Sequence, residues 1–266
     1  MMGGRLRSAL ETPATRGLSV DDPHTTLARR EILRRKAFLR KVYLEWYDLI
    51  LAALPEPPGR VLELGSGAAF LKDLLPSLVT SEVVAWEGVS LVADARALPL
   101  STGSLRAIVM TNVFHHVDDA RAFLREAARA VRPGGVVAMI EPWVTPWSRF
   151  VYGRLHDEPF RPEAQDWEFR ADGPLSGANG ALPWIVFERD RETFHAEFPE
   201  WRVETVRPLM PLRYLLSGGL SMRSLMPGAA FGFWRTVEQA ASPIMDRVAM
   251  FAAIVLRRQP ASSLRP

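Results

Sequence analysis

Residues Arg60-Val-Leu-Glu-Leu-Gly-Ser-Gly-Ala-Ala-Phe70 restrict the fold more than any other stretch of the chain. A short apolar run leads through an acidic residue, Glu63, to two glycines one residue apart, Gly65 and Gly67. The run reads as a buried strand. The glycines read as a sharp turn into a helix opening at Phe70, because residues without a β-carbon let bare backbone approach a ligand. Such a turn sits at the carboxyl edge of a parallel sheet and suits a nucleoside-bearing ligand.

The pattern around it repeats. Val61–Leu64 reads as the first strand, and Phe70–Leu75 as a helix closed by Pro76. Leu78–Val84 and Ser90–Ala93 read as the second and third strands, with almost no chain for a helix between them. Leu105–Thr111 is the fourth strand. Asp119 to Val131 has helical periodicity, and a tight turn at Pro133-Gly134-Gly135 leads to a fifth strand, Val136–Ile140, ending at Glu141. Each strand is nearly continuously apolar, as strands covered on both faces are. Helix from Asp190 as N-cap to Phe198, strand Arg202–Val206, helix Gly232–Ala241, a further helix opened by Ser242-Pro243, and strand Met250–Leu256 complete the pattern.

The chain has 266 residues, enough for one large core, and no cysteine, which excludes disulfides and thiolate metal sites. The opening Met-Met-Gly-Gly-Arg-Leu-Arg has no apolar signal region. The longest clean apolar run, Val248 to Leu256, falls far short of the roughly 20 residues a membrane span needs. The expectation is a cytoplasmic protein. Residues 1–23 read as a mobile tail and 24–58 as a basic amphipathic helix, with apolar positions at Ile32, Leu39, Tyr43, Trp46 and Ile50. The net charge of +3 is concentrated there, in Arg29, Arg30, Arg34, Arg35, Lys36, Arg40 and Lys41, a solvated face or a surface for anionic partners.

Taken in order, these motifs resemble the class I S-adenosylmethionine-dependent methyltransferases of small-molecule type, closely over roughly residues 60–141 and by pattern over 187–257. The resemblance implies a doubly wound α/β domain over 59–266: a mostly parallel, seven-stranded, Rossmann-like sheet with an antiparallel last strand and inserted caps at 142–186 and 208–248. It implies that Glu63, Gly65, Ser66 and Gly67 face the methionyl part of S-adenosylmethionine, with Ala69 where the family often has a third glycine. Glu82, or its rival Glu87, is expected to hold the ribose hydroxyls, Asp94 and Ala95 the adenine, and Asn112 the methionyl end. Arg132-Pro133-Gly134-Gly135 matches the turn before the fifth strand.

His115 and His116 fall at the mouth of such a site. Neighbouring side chains in a strand-to-loop turn are expected to point different ways, so no shared metal is expected. Either ring reads as structural, and His116, with His156 and Glu158, is a candidate general base. A base is needed only when the acceptor must lose a proton, since donor and acceptor alignment is otherwise the main requirement.

The two caps are expected to roof the site with Trp143, Trp147, Tyr152, Trp167 and Trp184 from the first, and Leu215, Leu216, Leu220, Met222, Leu225, Met226, Phe231, Phe233 and Trp234 from the second. Arg149, Arg154, Arg213 and Arg223 are interspersed. Such a roof suits a small, hydrophobic or lipid-linked acceptor methylated at oxygen, although the same side chains could pack a core of their own. Peripheral membrane contact through Leu220–Trp234 and the basic helix is a related expectation. Two other readings stand beside this one: an NAD(P)-dependent oxidoreductase, disfavoured by the missing third glycine, and a non-catalytic S-adenosylmethionine-binding module. No nucleic-acid partner is expected, because Asn112-Val-Phe-His stands where a nucleic-acid methylation motif would.

Overall fold

A computed structural model describes residues 23–67, 70–155, 158–170 and 177–260. Ala69, His156 and residues 1–22 of the expected tail at 1–23 lie outside them, while Pro23 opens a helix. The chain opens with helices α1 (Pro23–Arg35) and α2 (Ala37–Ala52). Then come β1 (Arg60–Leu64), α3 (Leu71–Leu74), β2 (Val79–Glu82), β3 (Leu91–Val92), β4 (Leu105–Thr111), α4 (Ala120–Ala130) and β5 (Val131–Pro142). The remainder is α5 (Pro146–Leu155), α6 (Leu182–Trp184), α7 (Arg191–Glu197), β6 (Trp201–Leu209), α8 (Arg213–Ser217), α9 (Phe231–Ala240), α10 (Met245–Val248) and β7 (Phe251–Arg258).

The strands form one seven-stranded sheet in the order β3-β2-β1-β4-β5-β7-β6. β1 to β5 pair in parallel, and β7 runs antiparallel to both of its neighbours. This is the doubly wound Rossmann-like sheet with an antiparallel last strand that the sequence predicts.

The apolar strands feed two cores. Val61, Ala107, Val109, Val136, Ala138 and Ile140 point to the face covered by α2. Leu62, Ile108, Met110, Val137 and Met139 point to the opposite face, under α4 and α7. The period of two along a strand delivers alternate residues to each side, so residues 61–64, 107–110 and 136–142 are buried throughout.

Several local expectations are corrected. Helices α1 and α2 meet at Lys36 (φ −83°, ψ 87°) instead of forming one helix. The apolar stripe of α2 packs on the sheet as expected, but the basic cluster is divided: Lys36 Nζ turns inward to the carbonyls of Gly219 and Met222, and Lys41 Nζ reaches Gly228 O. Pro133-Gly134-Gly135 is an irregularity inside β5, where the register against β4 slips between Leu105 and Ala107. Asp190 precedes α7, yet its carboxylate accepts from the Trp167 indole (2.8 Å) and from Arg189 rather than capping the helix. Ser242-Pro243 opens a 3-10 turn, with α10 following it. Asp119 does cap α4, its side chain accepting from Ala122 N at 2.8 Å.

β5 ends, and β7 begins, where Pro142 pairs with Phe251; Leu209 at the end of β6 pairs with the same Phe251. The cap segments after β5 and after β6 therefore both leave at the carboxyl edge of the parallel strands.

Candidate active site

The carboxyl ends of β1, β2 and β4 open on a cavity of about 510 Å³. Gly65, Ser66, Gly67, Glu82, Asp94, Ala95, Asn112 and His116 all line it; Glu87 does not. Glu63 stands one layer behind, and its backbone carbonyl accepts from Ser81 Oγ (2.8 Å) and Ser66 Oγ (3.3 Å).

The glycine turn is built as its sequence requires. Gly65 has φ +61° and Gly67 φ +45°, left-handed conformations that disfavour side chains. A β-carbon on Gly65 would meet Val113 Cγ2 at 2.5 Å. The Gly67 amide donates to Glu82 Oε1, which ties the turn to the end of β2. Thr111 Oγ1, buried on the wall of the same cavity, has no hydrogen-bond partner. Bare backbone, a carboxylate beside it and an unsatisfied hydroxyl suit a ligand with polar groups along its length, and S-adenosylmethionine meets those needs.

Burial pushes the Glu63 carboxyl up to about 8, opposed by the Ser66 hydroxyl and helped by the Glu82 charge. Burial also raises Glu82, against the Gly67 and Val83 amides. Asp94 is held low, chiefly by Arg96. Its Oδ1 accepts the Arg96 amide at 2.8 Å, and the guanidinium bridges Asp94 to Asp118. The Asp94 carboxylate is thus engaged within its own turn while facing the cavity.

The two histidines correct the expectation that neighbouring rings point apart. They lie side by side, with centroids 4.2 Å apart and planes tilted by 39°. A short 3-10 turn, Phe114–His116, bends the chain after β4 and brings this about. His115 is buried with Nδ1 2.6 Å from Glu141 Oε2, while Glu141 Oε1 accepts the amides of Val113 and Phe114, both at 2.8 Å. Burial alone would lower the His115 pKa, but Glu141, and then Glu158, raise it to about 9. His116 Nδ1 lies 2.8 Å from Gly177 O, and burial, then the His115 charge, lowers its pKa to about 4. Glu158 faces the pair, 3.6 Å from His115 Nε2.

The far wall differs from the expected roof. Trp143, Trp167 and Trp184 pack into the core under α4 and α7, and Phe231 packs into the other core. Arg213 is buried between Glu45 and Glu238. Of the expected aromatic and aliphatic roof, Tyr152 and Leu220 reach the cavity, joined by Tyr43 from α2, Tyr214 from α8, Phe160 and Phe251. The wall thus draws on α2 as well as on the segments after β5 and β6, and most of the expected roof residues do not reach it. Sequence reasoning also gave Glu141 no role, although it ends a buried strand as Glu82 does.

Residues 62–139 match the family described as "Methyltransferase domain". Over 163 residues the chain is 27% identical to a thiol S-methyltransferase of Homo sapiens, covering 61% of this chain and 60% of that protein. It is 30% identical over 161 residues to an acetylserotonin O-methyltransferase of Mus musculus molossinus, covering 49% and 41%. The chain thus spans 60% or less of either relative's length. A solved geranyl diphosphate C-methyltransferase from Streptomyces coelicolor A3(2), in complex with Mg2+, geranyl diphosphate and S-adenosyl-L-homocysteine, aligns with TM-score 0.49 and 12% identity over 94% of this chain and 89% of that one.

Proposed function

We propose that this chain, a member of the methyltransferase domain family through residues 62–139, moves a methyl group from S-adenosylmethionine to the oxygen of a small, largely apolar acceptor. One observation carries the reading: a single cavity runs from the Gly65–Gly67 turn and Glu82 to the histidines and on to a wall of Tyr43, Tyr152, Phe160 and Tyr214. Donor-binding and acceptor-binding chemistries share one enclosure.

On this reading the backbone of Gly65 to Gly67, Glu63, Glu82, Asp94, Ala95 and Asn112 hold the donor. Bound there, S-adenosylmethionine supplies an activated methyl on a sulfonium with a neutral leaving group. The protein then has mainly to align two reactants and exclude water. Tyr43 and Tyr152 are buried and Tyr214 is half-buried, and burial raises all three phenols, Tyr43 to about 12. They present apolar ring surface to the acceptor. His116, its Nδ1 held by Gly177 O, turns Nε2 toward the acceptor as the group that takes the hydroxyl proton. The relatives named for thiol and for oxygen methylation make sulfur the acceptor atom to test beside oxygen.

Calorimetric titration with S-adenosylhomocysteine, with NAD as control, tests the donor half. Binding that Gly65→Arg abolishes supports it, and NAD binding in its place overturns it. Transfer of labelled methyl to matched phenol and thiol acceptors tests the other half; methylation of the thiol alone overturns oxygen. We further propose a cytoplasmic enzyme that touches membranes through the exposed Leu225 and Phe233 of the second cap. No helix among the described residues is long and apolar enough to cross a membrane.

A further inference from the structure

We propose that His115, His116 and Glu158 hold a divalent transition-metal ion, zinc by their donor set, at the acceptor end of the cavity. One nitrogen from each ring and one Glu158 oxygen lie within 4.8 Å of one another. All three residues line the cavity.

The arrangement behind the rings points to an ion more than the cluster itself does. A metal-bound imidazole almost always gives its other nitrogen to a carboxylate or a backbone carbonyl, which fixes the ring and its tautomer. Both partners are here. His115 Nδ1 meets Glu141 Oε2 at 2.6 Å, and His116 Nδ1 meets Gly177 O at 2.8 Å. Glu141 is fully buried and is itself fixed by the amides of Val113 and Phe114. The nitrogen left to each ring is Nε2, and His115 Nε2 already faces a Glu158 oxygen at 3.6 Å.

The distances suit a small ion. Ligand bonds of about 2.0–2.1 Å in a tetrahedron place donor atoms about 3.3 Å apart. The pair at 3.6 Å is near that, and the Glu158 side chain, 44% exposed, is the member able to close the remainder. Two imidazoles and one carboxylate are a zinc set with one position open. Magnesium and calcium prefer oxygen throughout, and the chain has no cysteine to draw softer ions.

The open position faces the space assigned to the acceptor. An acceptor hydroxyl or thiol bound there loses its proton to solvent, because the ion stabilises the resulting anion. On this assignment His116 is a ligand, and the ion takes over the task of ionising the acceptor. That role rests on the methyl-transfer reading; binding of the ion does not.

The test uses the full chain, dialysed against chelator and titrated with Zn2+ alone, then with Co2+ for its visible spectrum. One equivalent should bind, and Co2+ should give the intense bands of a four-coordinate site. Glu158→Ala and His116→Ala should each weaken Zn2+ binding at least about tenfold, while S-adenosylhomocysteine titrates the Glu158→Ala chain as before. Glu158→Ala is the safeguard against a folding defect, since it removes a half-exposed side chain. Failure of the intact chain to take up Zn2+, or unchanged affinity in both variants, overturns the site. Zn2+ uptake without S-adenosylhomocysteine binding keeps the site and overturns the methyl-transfer reading instead.

Discussion

Arg213 and Glu45 are joined by two parallel bonds, Nη1 to Oε2 and Nη2 to Oε1, each 2.7 Å long. Through them α8 of the second cap is fastened to α2. The same guanidinium reaches Glu238 on α9, and both Arg213 and Glu238 are almost wholly buried. Removing the arginine leaves the Glu238 carboxyl buried without its partner. Arg213→Ala should therefore destabilise the fold by about 3–5 kcal/mol. Glu45→Ala, which frees only the more exposed partner, should cost about 1–2 kcal/mol. Urea denaturation followed by circular dichroism measures both. Arg213→Lys should not rescue, because an ammonium cannot make the paired bonds to Glu45.

Gly65 supplies a second expectation. Its φ of +61° and the Val113 methyl 2.5 Å from the missing β-carbon act together against any side chain. Gly65→Ala should lower stability by about 1–3 kcal/mol and weaken S-adenosylhomocysteine binding. Adding Val113→Ala should relieve the clash but leave the backbone strain. The double variant should thus recover part of the loss, and full recovery would show that strain at Gly65 is unimportant.

Glu63 makes stability depend on pH in a defined direction. Its carboxyl titrates at about 8 in the folded chain against an ordinary 4.5. The folded state keeps a proton that the unfolded state releases, so the contribution is complete below pH 4.5 and lost as pH rises to about 8. The stability difference between the natural chain and Glu63→Gln should fall by up to a few kcal/mol across that window. A donor ammonium held near Glu63 would expel this proton. Titrations of S-adenosylmethionine at pH 7 in buffers of different ionisation enthalpy should then show proton release, and Glu63→Gln should abolish it.

The second cap offers its own test. Leu225 is 54% and Phe233 65% exposed. Leu225→Ser with Phe233→Ser should cut pelleting with anionic phosphatidylglycerol vesicles severalfold while leaving S-adenosylhomocysteine affinity unchanged. Equal pelleting of the two chains would remove the membrane reading.

The glycine-turn end of the cavity was far easier to read in sequence than the tyrosine-lined end. Each wall residue there sits at the end of an apolar strand, so the strand pattern alone brings Gly65, Glu82 and Asn112 to one sheet edge. The roof has no such periodic frame. Trp143 and Trp167 look like Tyr152 in a linear reading, yet their neighbours draw them into the core while Tyr152 reaches the cavity. Tyr43 and Tyr214 escaped notice for the reverse reason: one reads as part of a helix stripe, the other sits unremarked beside Arg213. The side-by-side placement of His115 and His116 depends on a single 3-10 turn that no periodicity announces.

β7 lies between β5 and β6 although it follows β6 in the chain. During synthesis the parallel strands β1 to β5 can pair as they emerge, but β6 has no sheet neighbour until β7 arrives between them. The glycine-turn end of the cavity can therefore take shape on the ribosome while the wall at Phe251 waits for the closing strand. A chain halted before Phe251 would hold a half-built sheet with a bare edge along β5, open to pairing with other chains and a natural target for chaperones.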